Sequence, residues 1–354
     1  MIEFPDIFNL ADYYLFDRIK HDLGDRIALR FGERTWRYEA VAQRTRKMVN
    51  VYRRFGLRPE ERVYIVLPDT PTFAWSFFGA LKLGAVVTMG NPLAKINDLR
   101  AVIDYVEPRI IVTTPKVARE LQAAGLGPHP PSFIVTPHAG VFEDPEAAVD
   151  HPGCLSQALQ KADPCYAPSR TSPDQDAIWL FTSGSTGRPK AAMHCHRDFA
   201  FNTEVYAKRT IGYRADDVCV SVPRLFFGYA TGTNLMFPFA VGASVGLFTE
   251  KPTAERIAWA VEYYGATFLT NVPTLMSRLL ESDAKKSLSL DTLRVTLSAG
   301  EALPPSLLDR WQARFEAPVF DGIGSAEMFH IYLSNRPDDI KPGSLGRPVE
   351  GYQL

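Results

Sequence analysis

Two hydrophobic periods alternate along the first part of the chain. Short apolar runs typical of buried strands are followed by stretches in which apolar residues recur every three or four positions, as on one face of a helix. These segments are, in order, a strand pair (DRIALRF, RTWRYEAVA), a helix (YEAVAQRTRKMVNVYRRF), a strand (RVYIVLP), a helix ended by Gly84 (TFAWSFFGALKLG), a strand (AVVTMG), a helix over 96–106 and a strand (RIIVTT). Strands that alternate with helices predict a parallel sheet covered by helices.

The stretch from Gly125 to Gln175 interrupts this rhythm because it is rich in Pro, Ala and Ser. Such a composition is typical of a connection between structural units. After it the rhythm resumes, from AIWLF through TAERIAWAVEYYG to PVFDGIG. The sequence therefore predicts the α/β fold class, with two packed α/β subdomains at residues 1–172 and 173–354 whose mainly parallel sheets are covered by helices.

One uncharged segment, from Leu225 to Thr249, has the length of a membrane span, since about 20 apolar residues can cross a bilayer. Breaking residues divide it, namely Gly228, Gly232, Asn234, Pro238, Gly242 and Gly246. We therefore expect a helix, a turn and a strand, all buried within the protein, and no membrane partner.

Composition and charge narrow the class of partner. Of the 354 residues, 46% are hydrophobic and 22% charged, with a net charge of −1, which is ordinary for a globular protein. The absence of a long Lys/Arg block argues against a nucleic-acid partner and leaves small ligands as the expected class. The four cysteines show no C-x-x-C spacing, so we expect reduced thiols in a cytoplasmic protein and no cysteine metal site.

Three loops that follow apolar strands contain the candidate catalytic and binding residues. A doubly wound sheet would bring these loops together beyond the carboxyl ends of its strands. In TSGSTGRPK, from Thr182 to Lys190, glycines let backbone N–H groups approach an anion, hydroxyls add donors and the lysine adds positive charge. This pattern indicates a phosphate site, although a surface turn has the same composition. Pro189 distinguishes the loop from a Walker A motif, and no G-x-G-x-x-G follows a strand.

The second and third loops are each ambiguous alone. SAGEALPP, from Ser298 to Pro305, is also consistent with a helix N-terminus that Ser298 and Glu301 cap. DGIGSAEMFH, from Asp321 to His330, is also consistent with a strand that ends in a glycine turn, with Glu327 solvated.

Together, FTSGSTGRPK, LSAGEALP and DGIGSAE resemble the core motifs of the adenylate-forming superfamily, and the resemblance covers nearly all of the chain. LFFGYATGTN, GIGSAEMFHIYLSN and KPGSLGRPVEGY resemble the benzoate–CoA ligase branch most. The resemblance implies the layered αβαβα N-terminal domain of these enzymes, with the phosphate loop, adenine site and acid pocket in the second subdomain. It also implies two half-reactions, in which a carboxylate and ATP give acyl-AMP and pyrophosphate, and the thiol of coenzyme A then displaces AMP.

The resemblance also implies a role for each site residue. The phosphates of ATP are expected at Thr182, Ser183, Gly184, Ser185, Thr186, Gly187 and Lys190. The rest of the nucleotide is expected at Gly300, Glu301, Ala302, Asp321, Gly322 and Ser325, with Asp321 on the exocyclic amine of adenine. The aryl acid is expected at Phe227, Gly228, Tyr229, Gly324, His330 and Ile331. Lys190 and Glu327 are the implied catalytic residues, and Glu327 is the implied Mg²⁺ ligand.

Some of these residues have a structural alternative, and some positions depart from the family pattern. A core histidine whose hydrogen bonds are satisfied is the alternative for His330, and His196 and Arg197 are expected to be structural. Ala191 replaces the usual glycine, and Ala326 replaces a threonine whose hydroxyl donates to the α-phosphate, so we expect slower adenylation, with Ser325 a partial substitute. The resemblance implies a further small C-terminal domain, which we expect to be missing from this chain, so we expect the chain to bind ATP and acyl-adenylate but to turn over poorly.

The expected function is therefore AMP-forming aryl-carboxylate–CoA ligation, with benzoate, a hydroxybenzoate or an aminobenzoate such as anthranilate as the acid. ATP, Mg²⁺ and coenzyme A are the implied cofactors and co-substrates. The sequence leaves three alternatives open: an adenylating enzyme that loads an acyl carrier protein, a luciferase-like oxygenase, and a non-catalytic module that binds an acid or a nucleotide.

Overall fold

The computed structural model describes residues 2–136, 151–165, 170–182, 189–286 and 288–354. Contacts between Cα atoms divide the chain into two units. The nine-stranded unit consists of Met1–Ile2, Asp22–Arg37 and Ala200–Leu354. The six-stranded unit consists of Glu3–His21 and Tyr38–Phe199.

The strands and helices alternate along the chain as the hydrophobic pattern predicts. The strands are β1 (Ile27–Phe31), β2 (Arg34–Arg37), β3 (Arg62–Val66), β4 (Val86–Met89), β5 (Ile110–Thr113), β6 (Ser132–Val135), β7 (Asp176–Thr182), β8 (Lys190–Cys195), β9 (Val218–Ser221), β10 (Ser244–Leu247), β11 (Phe268–Asn271), β12 (Val295–Ser298), β13 (Val319–Gly324), β14 (Ile331–Ser334) and β15 (Arg347–Pro348). The α-helices are α1 (Asp17–Lys20), α2 (Tyr38–Arg54), α3 (Pro71–Leu83), α4 (Ile96–Val106), α5 (Pro115–Ala124), α6 (Leu155–Gln160), α7 (His196–Asn202), α8 (Gly228–Thr231), α9 (Phe237–Val241), α10 (Ala254–Tyr264), α11 (Pro273–Lys286) and α12 (Pro305–Phe315). The π-helical segments within the described residues are Asp12–Phe16, Thr203–Ile211 and Gly232–Met236.

The nine-stranded unit is built on a sheet of order β15-β14-β13-β12-β11-β9-β10-β1-β2. Its central pairs are parallel, and antiparallel pairing is confined to β2 at one edge and to β14 and β15 at the other. Helices α10, α11 and α12 contribute buried side chains to one core with this sheet, including Trp311 and Met276, both 0% exposed. The expected mainly parallel sheet covered by helices is confirmed here.

The six-stranded unit has the order β6-β5-β3-β4-β7-β8. Within the described residues all its pairs are parallel except β7 with β8. Helix α3 is buried along its whole length. Pro71 starts this helix with a preset φ, and Gly84 ends it at a φ of 82°, which glycine adopts without strain. The predicted helix and its stop at Gly84 are therefore confirmed.

Most of the uncharged segment is buried in the nine-stranded unit, although Phe227 near its start is 57% exposed. It forms α8, the π-helical Gly232–Met236, α9 and then β10, and Gly242 makes the turn before the strand at a φ of 80°. The predicted order of helix, turn and strand is confirmed. Across the part of the chain that the structure describes, no helix is both long and apolar enough to cross a membrane.

The division between the units differs from the boundary that the sequence suggests at 172/173. Strand β7 pairs with β4, and β8 pairs with β7, so both complete the six-stranded sheet, and the unit continues to Phe199. The segment Asp22–Arg37, near the N-terminus, belongs instead to the nine-stranded unit, because β1 pairs with β10. Both differences arise from pairing between distant strands, which a local hydrophobic pattern does not encode.

Candidate active site

The second and third loops leave neighbouring strands of the nine-stranded sheet. Strands β11, β12 and β13 are parallel, and their carboxyl ends are in register, with Asn271 beside Ser298 and Ser298 beside Asp321. The Ser298 hydroxyl donates a hydrogen bond of 2.8 Å to Asp321 Oδ1. A row of polar side chains therefore lies at the edge where parallel α/β sheets bind ligands.

Asp321 is the titratable group of this edge. The residue is only 8% exposed, and burial raises the pKa of its carboxyl to about 6, while hydrogen bonds from Ser298 and from the Gly322 N–H oppose the rise. Near neutral pH the group is therefore mostly a carboxylate in a poorly hydrated place. Such a group is suited to accept a hydrogen bond from an amine of a ligand.

The second loop turns at Gly300, whose φ of 86° favours glycine, and its next residues Glu301 and Ala302 are exposed. The Glu301 carboxylate accepts hydrogen bonds from the Thr274 N–H at 2.9 Å and from the Thr274 hydroxyl at 2.6 Å. Thr274 lies in the first turn of α11, so Glu301 caps α11. The structural alternative considered from the sequence was instead that Glu301 caps α12, the helix that follows the loop. Whether these three residues also line adenine stays a prediction.

The third loop joins β13 to the antiparallel β14 and presents Glu327 to solvent. Ser325 Oγ accepts a hydrogen bond of 3.3 Å from the Met328 N–H, which fixes the turn. Among the described residues no hydrogen bond or ion pair engages the Glu327 carboxylate. The carboxylate is therefore available to a cation.

His330 and Tyr229 meet in the interior of the nine-stranded unit. His330 is 3% exposed, and its Nε2 lies 3.0 Å from the Tyr229 backbone oxygen. Because a carbonyl oxygen only accepts, Nε2 carries the proton. Burial lowers the pKa of the imidazole to about 4, although the bond to Tyr229 opposes this shift. The ring is therefore neutral at pH 7, with a lone pair on Nδ1.

Aromatic rings surround this histidine. The ring centroids of Phe237, Tyr229 and Tyr206 lie 4.7, 5.3 and 5.4 Å from that of His330. Two polar atoms in this cluster, His330 Nδ1 and the Tyr229 hydroxyl oxygen, are buried without a hydrogen-bond partner in the part of the chain described. The His330 ring is therefore satisfied at one nitrogen only, and its surroundings are mainly aromatic, with a few polar atoms that could orient a ligand.

The other predicted acid-binding residues lie around this cluster. Phe227 is 57% exposed and packs on Phe226 at a ring distance of 4.5 Å, just before Gly228 begins α8. Ile331 is 2% exposed. A Cβ at Gly324 would lie 2.5 Å from the His330 carbonyl oxygen, so only glycine fits there. A Cβ at Gly322 would likewise lie 2.8 Å from the Leu333 carbonyl oxygen.

The first loop belongs to the six-stranded unit. Thr182 and Lys190 are direct partners across the antiparallel pair β7–β8, so the loop is the connection of a hairpin. Lys190 is exposed and Thr182 is half-buried. Ser183, Gly184, Ser185, Thr186 and Gly187 lie outside the described residues. The expectation that all three loops leave one sheet is wrong, because this loop follows a strand of the other sheet.

Comparison with known proteins identifies the family. The model of the family described as AMP-binding enzyme matches residues 16–354. The chain belongs to the AMP-binding enzyme family. This match confirms the family resemblance of the three loop motifs.

Relatives of this AMP-binding enzyme include ligases of aromatic acids. A benzoate–CoA ligase of Thauera aromatica is 34% identical over 355 residues, which cover 100% of this chain and 65% of that protein. The crystal structure of the anthranilate CoA ligase AuaEII in complex with anthranoyl-AMP has a TM-score of 0.91 at 27% identity and covers 99% of this chain and 65% of that one. A benzoate CoA ligase from Burkholderia xenovorans LB400 has a TM-score of 0.85 at 30% identity, with 98% and 67% covered. The chain thus spans just under two thirds of the length of the Thauera relative.

The donor set of this AMP-binding enzyme fits a magnesium ion held mainly by phosphates. Mg²⁺ prefers oxygen ligands and usually binds through one or two carboxylates, water and substrate phosphates. Glu327 offers one exposed carboxylate. In the described part of the chain no group of three or more His, Cys, Asp or Glu side chains could hold an ion by itself.

The sequence analysis missed several residues that surround the ring of His330 or lie along the polar row. Gly232 closes the cluster, since a Cβ there would lie 2.6 Å from His330 Cδ2. Tyr206 and Phe237 supply two walls, and Asn271 continues the polar row. Of these, only Gly232 gave a signal, as a glycine within an apolar helical run.

His196 is a structural residue of the six-stranded unit. Its Nδ1 accepts a hydrogen bond of 3.1 Å from the Leu10 N–H, and burial lowers the pKa of its imidazole to about 4. Arg197 forms an exposed ion pair of 2.7 Å with Asp174. These contacts support the structural roles expected for both residues.

Proposed function

We propose that the protein is an AMP-forming aryl-carboxylate–CoA ligase, of which this chain supplies the ATP and acid sites. The observation that carries the proposal is the buried cluster of His330, Tyr229 and Phe237, which lies next to the strand that bears Asp321. A flat aromatic acid would fill an apolar slot of this kind, and its adenylate would reach the polar row. The named activities of the benzoate and anthranilate relatives agree with this choice of acid.

The proposed reaction begins with attack of the acid on ATP. A carboxylate oxygen forms a bond to the α-phosphorus, and the bond to the bridging oxygen breaks, which releases pyrophosphate and leaves acyl-AMP. Both reactants are anions, so positive charge and donors are needed around the phosphates. The loop from Thr182 to Lys190 has both, and Lys190 would hold the phosphates. Mg²⁺ bound at Glu327 would neutralise part of the phosphate charge.

Other chain residues would hold the remaining parts of the intermediate. The Asp321 carboxylate, which accepts from Ser298, would accept a further bond from the exocyclic amine of adenine. The second half-reaction joins the acyl carbon to the sulfur of coenzyme A as AMP leaves with the electron pair of the broken bond. A carrier protein with the same thiol is the other acceptor that the test below considers. None of the four cysteines, all of which lie in the described residues, forms a disulfide, which suits the cytoplasm that we propose as its compartment.

Binding of non-hydrolysable acyl-sulfamoyl adenosines tests the proposal without turnover, because a ligand that binds only the folded state raises Tm. We expect aryl members to raise Tm and alkyl or aminoacyl members to leave it unchanged. Equal shifts for alkyl members, or no shift with any member, would refute aryl-acid adenylation. With the full-length protein, thioester formation on coenzyme A rather than on a carrier protein identifies the acceptor.

Two substitutions test the assigned roles. We expect Lys190→Ala to weaken ATP binding by roughly tenfold or more, as loss of a charge-assisted contact does. We expect Glu327→Gln to abolish the strengthening of ATP binding by Mg²⁺. Lys161→Ala, at an exposed lysine of the same unit as Lys190, is the matched control and should bind ATP as the unaltered chain does. Unchanged ATP affinity and metal dependence in both site variants would contradict these roles.

A further inference from the structure

Asp321 is anchored by residues of the two strands beside β13. Its carboxylate accepts the 2.8 Å hydrogen bond from the hydroxyl of Ser298, its register partner on β12. Its backbone oxygen accepts hydrogen bonds from the N–H and the Nδ2 of Asn335, directly after β14, at 2.9 and 3.1 Å. Asn335 therefore fixes the backbone of Asp321, whereas the Ser298 hydroxyl and the Gly322 N–H hold the carboxylate in one of its staggered rotamers.

Asp321 and Ser298 differ in their access to solvent. Asp321 keeps 8% of its surface exposed, whereas Ser298 keeps 1%. The loop that follows Ser298 is open, since Gly300 is exposed and a Cβ there would have no atom within 4 Å. A ligand therefore has access to part of Asp321 but not to Ser298, so an effect of Ser298 on a ligand is transmitted through Asp321.

The Asp321 carboxylate can accept a further donor. An ionised carboxylate has about four lone-pair positions, and the Ser298 hydroxyl and the Gly322 N–H use two of them. Among the described residues no lysine or arginine forms an ion pair with Asp321. Burial and, to a smaller extent, the charge of Asp321 raise the pKa of the Tyr206 and Tyr229 hydroxyls, so both are neutral around pH 7.

We propose that Ser298 is a positioning residue for the nucleotide, whose hydroxyl holds the Asp321 carboxylate in the direction that accepts the exocyclic amine of adenine. The inference rests on the proposed function, in which Asp321 meets this amine. It adds to that contact a residue which does not touch the ligand and a pH range in which the contact forms. Loss of the hydroxyl weakens recognition of the amine.

The same hydrogen bond influences the pH at which the contact is made. Burial raises the pKa of the Asp321 carboxyl to about 6, and the Ser298 hydroxyl opposes this rise because it stabilises the carboxylate. A protonated carboxyl loses its charge and part of its capacity to accept. Recognition of the amine is therefore present above this pKa and is lost as the pH falls through about 6. Without the hydroxyl the loss occurs at a higher pH.

A pair of ligands isolates the contact with the amine. Benzoyl sulfamoyl adenosine is compared with the same compound built on purine riboside, which lacks the exocyclic amine, by calorimetric titration at several pH values. The amine ratio is the affinity for the first ligand divided by that for the second, so the effects of pH on their shared parts cancel. For the unaltered chain we expect a ratio of roughly ten at about pH 8 and near one at about pH 5.

Substitutions assign this ratio to the Ser298 hydroxyl. Ser298→Ala should lower the amine ratio at neutral pH by roughly threefold and raise the midpoint of its pH dependence by roughly one unit. Ser298→Thr keeps a hydroxyl and should retain most of the ratio. Ser221→Ala is the matched control, because Ser221 is a buried serine that ends β9 of the same sheet and donates to the Pro223 carbonyl oxygen at 2.8 Å.

The possible contrary results separate this inference from the proposed function. An amine ratio that is unchanged in Ser298→Ala, or that falls equally in Ser221→Ala, would overturn the positioning role and leave adenylation intact. A ratio for the unaltered chain that does not fall with the pH would overturn it without any variant, so the test holds even if Ser298→Ala does not fold. Failure of both ligands to bind would overturn the proposed function as well.

Discussion

Replacement of Gly232 tests the packing around the ring of His330 most directly. In Gly232→Ala the new Cβ would lie 2.6 Å from His330 Cδ2, 2.7 Å from Nε2 and 3.0 Å from Phe237 Cζ. Carbon atoms in contact prefer about 3.5–4.0 Å, so the imidazole must shift by roughly 1 Å. Such a shift breaks the 3.0 Å bond to the Tyr229 carbonyl oxygen.

The expected cost in the free energy of unfolding has three parts. Overpacking costs about 1–3 kcal/mol, and a buried hydrogen bond left unmade costs about 1–3 kcal/mol. The better helix propensity of alanine returns up to about 1 kcal/mol. We therefore expect Gly232→Ala to destabilise the protein by about 1–6 kcal/mol, as measured by urea unfolding of the whole chain.

A matched glycine provides the control for this experiment. A Cβ at Gly127 has no atom within 4 Å, and its φ is not in the left-handed region. Gly127→Ala should therefore change stability by less than about 0.5 kcal/mol. If Gly232→Ala behaved like this control and bound aryl sulfamoyl adenosines as the unaltered chain does, the packing of Gly232 against His330 would be disproved.

Two further predictions concern charged groups of the nine-stranded unit. The Arg294 side chain forms an ion pair of 2.6 Å with Asp217, which is 2% exposed. Arg294→Ala should therefore lower the free energy of unfolding in urea by about 3 kcal/mol, because it leaves a buried charge uncompensated. Arg209→Ala, which removes an exposed ion pair, should lower it by less than about 1 kcal/mol. For Asp321 the pKa of the folded state, about 6, lies above the ordinary value of 3.8. Its contribution to stability is therefore present below pH 3.8 and is lost as the pH rises through about 6. The side chain that Asp321→Asn introduces does not titrate. Between pH 4 and 7 the free energy of unfolding of this variant should therefore increase relative to that of the unaltered chain. A parallel pH dependence of the two proteins would contradict the raised pKa.

Much of the fold could be predicted from the sequence because its signals are local. Helix α3 carries its start at Pro71 and its stop at Gly84 within a few positions of its ends. The partner of β7 carries no such signal, since AIWLF would form a buried strand in either sheet. Pairing with β4, in which partners are 91 residues apart, decides the unit to which β7 and the start of the first loop belong.

The same limit applies to the candidate site, because the sequence names residues but not their distant contacts. The motifs named Tyr229 and His330, but the proton on Nε2 follows from a carbonyl oxygen 101 residues away in sequence. Glu301 illustrates the same limit, because its spacing from the next helix suggested a local cap. Its actual partner, Thr274, lies in the first turn of a helix that comes earlier in the chain. Contacts between residues so far apart in sequence become visible only when the pairing of the strands is known.

Strand β13 explains why one short motif serves two parts of the proposed ligand. Successive side chains of a strand point to opposite faces. Asp321 therefore lies on one face of β13, while Gly322 next to it adds no side chain to the other face, and Gly324 adds none at the end of the strand. Both glycines lie where the neighbouring chain approaches β13 closely, since a Cβ at Gly322 would lie 3.1 Å from Ile331 Cγ2 and a Cβ at Gly324 would lie 2.5 Å from the His330 carbonyl oxygen. In the proposed reaction the strand would separate adenine from the aryl ring, and the acyl phosphate joining them would pass the end of the strand, where Ser325, Ala326 and Glu327 follow.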